Sequence, residues 1–149
     1  MSKMKVNRIE NTSTASGGLD VDTSGKVRIT TLADSAGNND STPAEIASGR
    51  AKAWVNFNGT GTVAIRASYN VSSITDIATG RFSVHFTTPF ASVNYVAAGT
   101  AGNLTGTTAT GRDLSRDGEW TTGIAYFRNV QSPSTAADDN YVGLMFIGA

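Results

Sequence analysis

Serine-type nucleophilic catalysis needs a base hydrogen-bonded to the attacking hydroxyl, and the 149-residue sequence contains one histidine, His85. It lies in Arg81-Phe82-Ser83-Val84-His85-Phe86, where a two-residue period puts Phe82, Val84 and Phe86 on one face and His85 on the other. A solvated or hydrogen-bonded ring is the expectation; metal ligation would require copies of the chain to meet on a symmetry axis. Asp20, Asp22 and Ser24 are spaced like the opening of a calcium loop, but the glycine and distal acid of an EF-hand do not follow in register. Asp113, Asp117 and Glu119 are carboxylates of the kind sugar hydrolysis uses. With Arg112 and Arg116 beside them they read as solvated loop charges, and Asp138-Asp139 reads the same way. No Gly-x-Ser-x-Gly elbow is present, and the glycine-rich stretches precede strands or loops where a phosphate cradle needs a helix start. There is no cysteine, which excludes disulfides and thiolate zinc sites. The expectation is binding and assembly, with no enzymatic activity, no metal and no cofactor.

The remaining chemistry is aromatic. Trp54, Trp120, Tyr69, Tyr95, Tyr126 and Tyr141 are the large amphipathic side chains, and such rings either fill cores and subunit contacts or stack on sugar faces. Trp54, in the middle of an apolar run, is expected in the core; Trp120, beside the charged 112–119 stretch, is the better candidate for exposure.

These residues need a scaffold, and the composition specifies a β one. Thr, Ser, Gly, Asn, Ala and Val dominate, while the Leu, Glu and Lys that fill helices are sparse. Twelve basic residues balance twelve acidic ones, so no field steers the chain to nucleic acid or to a membrane surface. The N-terminus turns polar at once, and no stretch has membrane-spanning length, so a soluble chain made without a secretion signal is expected.

Along the chain, Lys5–Ile9 alternates, and Leu19–Asp22 and Val27–Thr30 flank a turn at Thr23–Lys26 as a hairpin. Residues 33–50 read as a linker in which Ser41-Thr42-Pro43-Ala44-Glu45 could start one helical turn and no more. From Ala51 alternating runs become dense: Ala53–Phe57, Thr62–Tyr69, Val71–Ile77, Arg81–Phe86, Val93–Ala98, Trp120–Val130 and Tyr141–Ile147. The 99–118 stretch, rich in Gly, Thr and Asn, reads as a long loop or weak edge hairpin. Six or seven strands at this spacing predict an all-β antiparallel sandwich over 51–149, preceded by a strand and hairpin in 1–32. Tyr141–Ile147 is apolar on both faces, as a central strand or one covered by another subunit would be.

The run from Ala53 through Trp54-Val55-Asn56-Phe57-Asn58-Gly59-Thr60-Gly61 to Asp76, continued by Gly80–Phe90 and Asn94-Tyr95-Val96, resembles a segment of tail-fibre-like proteins of tailed bacteriophages, especially marine ones. Lys5–Asn11 with Gly18–Asp22 is similar to the start of such proteins. The resemblance covers roughly residues 51–149 and implies a virion appendage: a homotrimer of knobs similar to the H-type lectin sandwich, tethered by its N-terminal stretch. Val6, Arg8 and Ile9 are then the anchor to other virion proteins. The candidates for contact with a host-surface glycan or protein are Trp120, Arg112, Arg116 and Asn103. Two functions fit this picture, a short tail fibre or receptor-binding knob and a capsid decoration or head-fibre protein without a receptor. Only about fifty residues precede the knob, where most fibres carry a long shaft.

Overall fold

The structure, a computed structural model, describes residues 8–10, 18–21, 23–29, 31–33, 36–38, 40–105, 108–131 and 135–148. The chain divides into two compact units, Met1–Ala47 and Ser48–Ala149. In the first, β1 (Arg8–Glu10), β2 (Gly18–Val21) and β3 (Val27–Arg28) form a small antiparallel sheet. The expected hairpin is there: Val21 pairs with Val27, and Gly25 takes the left-handed conformation (φ 79°) that the tight turn needs. Of the three expected anchor residues, Arg8 and Ile9 lie in β1, paired with Asp20 and Leu19; Val6 lies outside the described residues.

The linker region holds more helix than one turn. α1 spans Pro43–Gly49, with proline at its first position. Thr42 and Glu45 close a reciprocal capping box: the Thr42 amide donates to Glu45 Oε2 at 2.7 Å and the Glu45 amide to Thr42 Oγ1 at 3.2 Å. Those hydrogen bonds hold the Glu45 carboxyl below its ordinary pKa.

The second unit contains β4 (Ala51–Asn58), β5 (Ala64–Tyr69), β6 (Val71–Ala78), β7 (Arg81–Phe86), β8 (Val96–Thr105), β9 (Thr108–Arg116), β10 (Ile124–Gln131), β11 (Thr135–Ala136) and β12 (Tyr141–Ile147). All are antiparallel in the order β5-β4-β12-β8-β9-β10-β7-β6, with the short β11 on β10. The path folds into two four-stranded layers. They are β5-β4-β12-β8 and β9-β10-β7-β6, and β9 joins them: Ala109 and Arg112 pair with Leu104 and Ala101 of β8, and Asp113 and Arg116 pair with Val130 and Phe127 of β10. β12-β8-β9-β10 is a Greek key, with the last strand returning beside the first.

The all-β sandwich is as expected, and 99–118 is the hairpin of its two expected alternatives, not the loop, but it lies inside the sheet and not at an edge. It supplies most of β8 and all of β9, and β8 lies inside its sheet. Its small residues are what allow this. A Cβ on Gly99 would come within 2.5 Å of the Gly143 carbonyl oxygen on β12, so β8 can pair there only with glycine at that position.

Inward positions alternate along each strand. Ala53, Val55 and Phe57 of β4, Phe82, Val84 and Phe86 of β7, Ala125 and Phe127 of β10, and Val142, Leu144 and Phe146 of β12 are all buried. Burial of each large apolar side chain contributes roughly 1.5–3 kcal/mol. At one end the rings of Phe90, Tyr95 and Trp120 stack, with centroids 4.3 and 5.1 Å apart. β4 and β12 run side by side so that Ile147 pairs with Ala51.

Candidate binding face and adjoining cavity

The alternation that points Ala53, Val55 and Phe57 inward points Trp54 outward, and it is 40% exposed. The expectation that Trp54 belongs to the core is therefore corrected: the period of the strand decides its face, whatever its hydrophobicity. Tyr69 of β5 lies directly opposite Trp54, Met145 of β12 opposite it on the other side, and Ala98 of β8 opposite Met145. This row of four uncharged side chains crosses the whole layer, and Tyr69 and Met145 are 56% and 41% exposed. Val96 and Tyr141 extend it along the strands. A bulge between Asn56 and Phe57 makes Arg66 an extra residue of β5, and its guanidinium lies 4.5 Å over the Tyr141 ring.

At the Tyr69 end of the row lies a cavity of about 450 Å³, lined by Lys52, Tyr69, Asn70 and the Thr87–Ala91 segment. Asn70 builds it. Between β5 and β6 this residue adopts a left-handed backbone, φ 56°, which turns the chain from one layer to the other. Its amide donates to the carbonyls of Lys52 (3.1 Å) and Thr88 (3.0 Å), and its Oδ1 accepts from the Thr88 amide at 2.7 Å. The start of β4 and the 87–91 segment are thereby held apart at fixed separation.

The four residues expected to contact a receptor fall into two separate pairs. Arg112 and Asn103 belong to one end of the sandwich. Arg112 Nε lies 2.8 Å from both carboxylate oxygens of Asp139, whose side chain is fully buried. Asn103 accepts from the Asn140 amide at 2.7 Å. Arg116 and Trp120 belong to the other end, since Arg116 is four residues, about 13 Å, further along β9. Trp120 is 8% exposed, a correction to its expected exposure. Its Nε1 donates to the Tyr126 carbonyl at 2.8 Å, and Arg116 covers it with a guanidinium 5.0 Å from the ring.

Several of the other candidates also have structural partners, while Asp22 of the calcium-like spacing lies outside the described residues. His85 Nε2 lies 3.1 Å from both Thr75 Oγ1 and Ser83 Oγ, the hydrogen-bonded role expected. Asp117 pairs with Arg81 at 2.6 Å. The Asp138-Asp139 pair is a correction: not a solvated loop but a plug. Asp139 is 0% exposed and accepts from Asn129 Nδ2 at 2.8 Å, its carbonyl accepts from the Gly59 amide, and Asp138 accepts from the Gly80 amide at 2.7 Å. Gly80, at φ 69°, has no room for a side chain: a Cβ would sit 2.6 Å from the Asn129 carbonyl oxygen. No set of three or more metal-ligating side chains clusters among the described residues, and no helix among them is long and apolar enough to cross a membrane.

Tyr95 donates to the Thr121 carbonyl at 2.8 Å, and burial pushes its phenol up to about 12, against a smaller opposing effect of Arg116. A raised folded-state value makes the neutral phenol stabilising. That contribution is complete below the unfolded value near 10 and is lost as pH rises from about 10 to 12. Chemical denaturation at several pH values should show stability falling across that window, and Tyr95→Phe should flatten the fall.

The second unit is thus an antiparallel β-sandwich with an exposed aromatic row bordering a cavity. No protein-family model matches the chain, and no curated protein or solved structure matches it either.

Proposed function

We propose that this protein is a binding knob of a tailed-phage virion, a short tail fibre that attaches the particle to its host through the outer face of the β5-β4-β12-β8 layer. The observation that carries this reading is the Tyr69–Trp54 pair, two large rings held side by side by strand register and left in solvent. Rings in that position offer a rigid, amphipathic contact at low entropic cost. The likeness of residues 51–90 to tail-fibre-like proteins supports the virion setting. Arg116 alone of the four receptor candidates read from the sequence keeps an exposed side chain. In this reading the knob binds and does not catalyse, three copies assemble, and the β1–β3 unit joins other virion proteins. Several weak sites on one particle would give firm attachment through avidity.

Adding the purified protein to host cells before the phage should reduce adsorption, and Trp54→Ala should remove the inhibition with the fold intact. Undiminished adsorption, with antibody against the protein labelling the capsid, would move it to the decoration role.

A further inference from the structure

We propose that the cavity beside Tyr69 is a subsite for a carboxylate-bearing pyranose, a sugar of the uronic acid type. The inference deepens the attachment reading and rests on it only for where such a sugar is met. The volume, about 450 Å³, is in the range of small-molecule sites and takes a substituted sugar ring. One wall is the exposed face of Tyr69, which Trp54 extends along the ladder; an aromatic face of this kind packs against the C–H-rich side of a pyranose.

The polar groups then select the class. Thr87 and Thr88 are exposed on the rim, and their hydroxyls make no hydrogen bond within the described residues, so both can donate to and accept from ring hydroxyls. Lys52 is the only charged residue in the lining, and it has no carboxylate partner among the described residues. A site with one ammonium and no acid favours a ligand carrying a negative charge.

The backbone argues against a phosphate. The amide of Thr87 donates to the Asn70 carbonyl, that of Thr88 to Asn70 Oδ1 and that of Phe90 to the Thr122 carbonyl, while Pro89 has none. Three of the N–H groups in the 87–91 segment that could clasp phosphate oxygens are thus spent inside the protein, which leaves no nest of successive free amides. What remains suits a single carboxylate on a hydroxylated ring. The three side-chain bonds of Asn70 preorganise the site, so binding need not order the 87–91 segment.

The test is an NMR titration of the isotope-labelled full chain with methyl glucuronide, methyl galacturonide and methyl glucoside. At least one uronide should bind about tenfold more tightly than the neutral glucoside, with shifts centred on residues 52, 69–70 and 87–91. Lys52→Gln should abolish that preference. Tyr69→Ala should weaken uronide binding by about tenfold and Tyr69→Phe should retain it. The spectrum of each variant reports its fold directly, and Tyr69 is outside the core. Equal affinity for charged and neutral sugars, shifts confined to other surfaces, or full binding by Tyr69→Ala would each overturn the proposal. Uronide binding in the cavity, with no effect of the protein on phage adsorption, would sink the attachment reading and leave the subsite standing. Blocked adsorption with no uronide shift in the cavity would do the reverse.

Discussion

Trp120→Ala is expected to lower the unfolding free energy by about 3–5 kcal/mol, the range for removing a large ring from a packed site. The ring stacks on Tyr95 at 5.1 Å with an interplanar angle of 11°, packs against Phe127 at 5.1 Å, and anchors the Tyr126 carbonyl through its indole N–H. Truncation would empty that space and leave the carbonyl with the Asp117 amide, at 2.9 Å, as its remaining donor. Urea unfolding followed by circular dichroism would measure the loss. Trp54→Ala should cost far less, since 40% of that residue is already in water, while acting on attachment. The two tryptophans therefore separate stability from binding: a Trp120→Ala protein that unfolds at the wild-type urea concentration would contradict the packing described above.

Asp139→Ala is expected to cost a similar amount, about 3–5 kcal/mol, because it removes one partner of a buried, hydrogen-bonded ion pair. The Arg112 side chain is 9% exposed and that of Asp139 is fully buried. Asn129 would lose one of its two acceptors at the same time, leaving Ala137 alone. For comparison, Asp117→Ala breaks a pair whose arginine side chain is 46% exposed, and an exposed bridge of this kind contributes about 0–1 kcal/mol. Thermal melts of the two variants should differ by roughly 10 °C or more. A small shift for Asp139→Ala would mean that water enters the plug and replaces the lost carboxylate.

Much of the sandwich was legible because its strands obey a period of two. Phe82, Val84 and Phe86 are buried as their spacing predicts, and Thr42 to Glu45 announces the start of α1. The hydrophobicity of Trp54 points to the core, but the parity it shares with Asn56 and opposes to Val55 turns it outward. The 99–118 hairpin is legible only as a weak edge element, because its interior position depends on smallness, which at Gly99 is a requirement of the strand opposite and leaves no local mark. Trp120 looked exposed because charges flank it, yet those charges are accounted for: Arg116 lies over the ring and Asp117 reaches Arg81. Asp139 could not be recognised locally. Its partner Arg112 is 27 residues earlier and reaches it only because β9 crosses between the layers. The cavity was equally invisible, since its walls come from β4, the end of β5 and the 87–91 segment, and only the Asn70 corner joins them.

The pairing of Ala51 with Ile147 has a mechanical consequence. Tension applied between the two ends of this unit would pull β4 and β12 apart from their shared end, opening hydrogen bonds in succession like a zipper. Tension arriving through Ala51 and leaving through a ligand held by Lys52 and Tyr69 would follow a different line. It would cross only the first two residues of β4 and the Asn70 corner, so the unit would bear such a pull while the seam between β4 and β12 stayed unloaded.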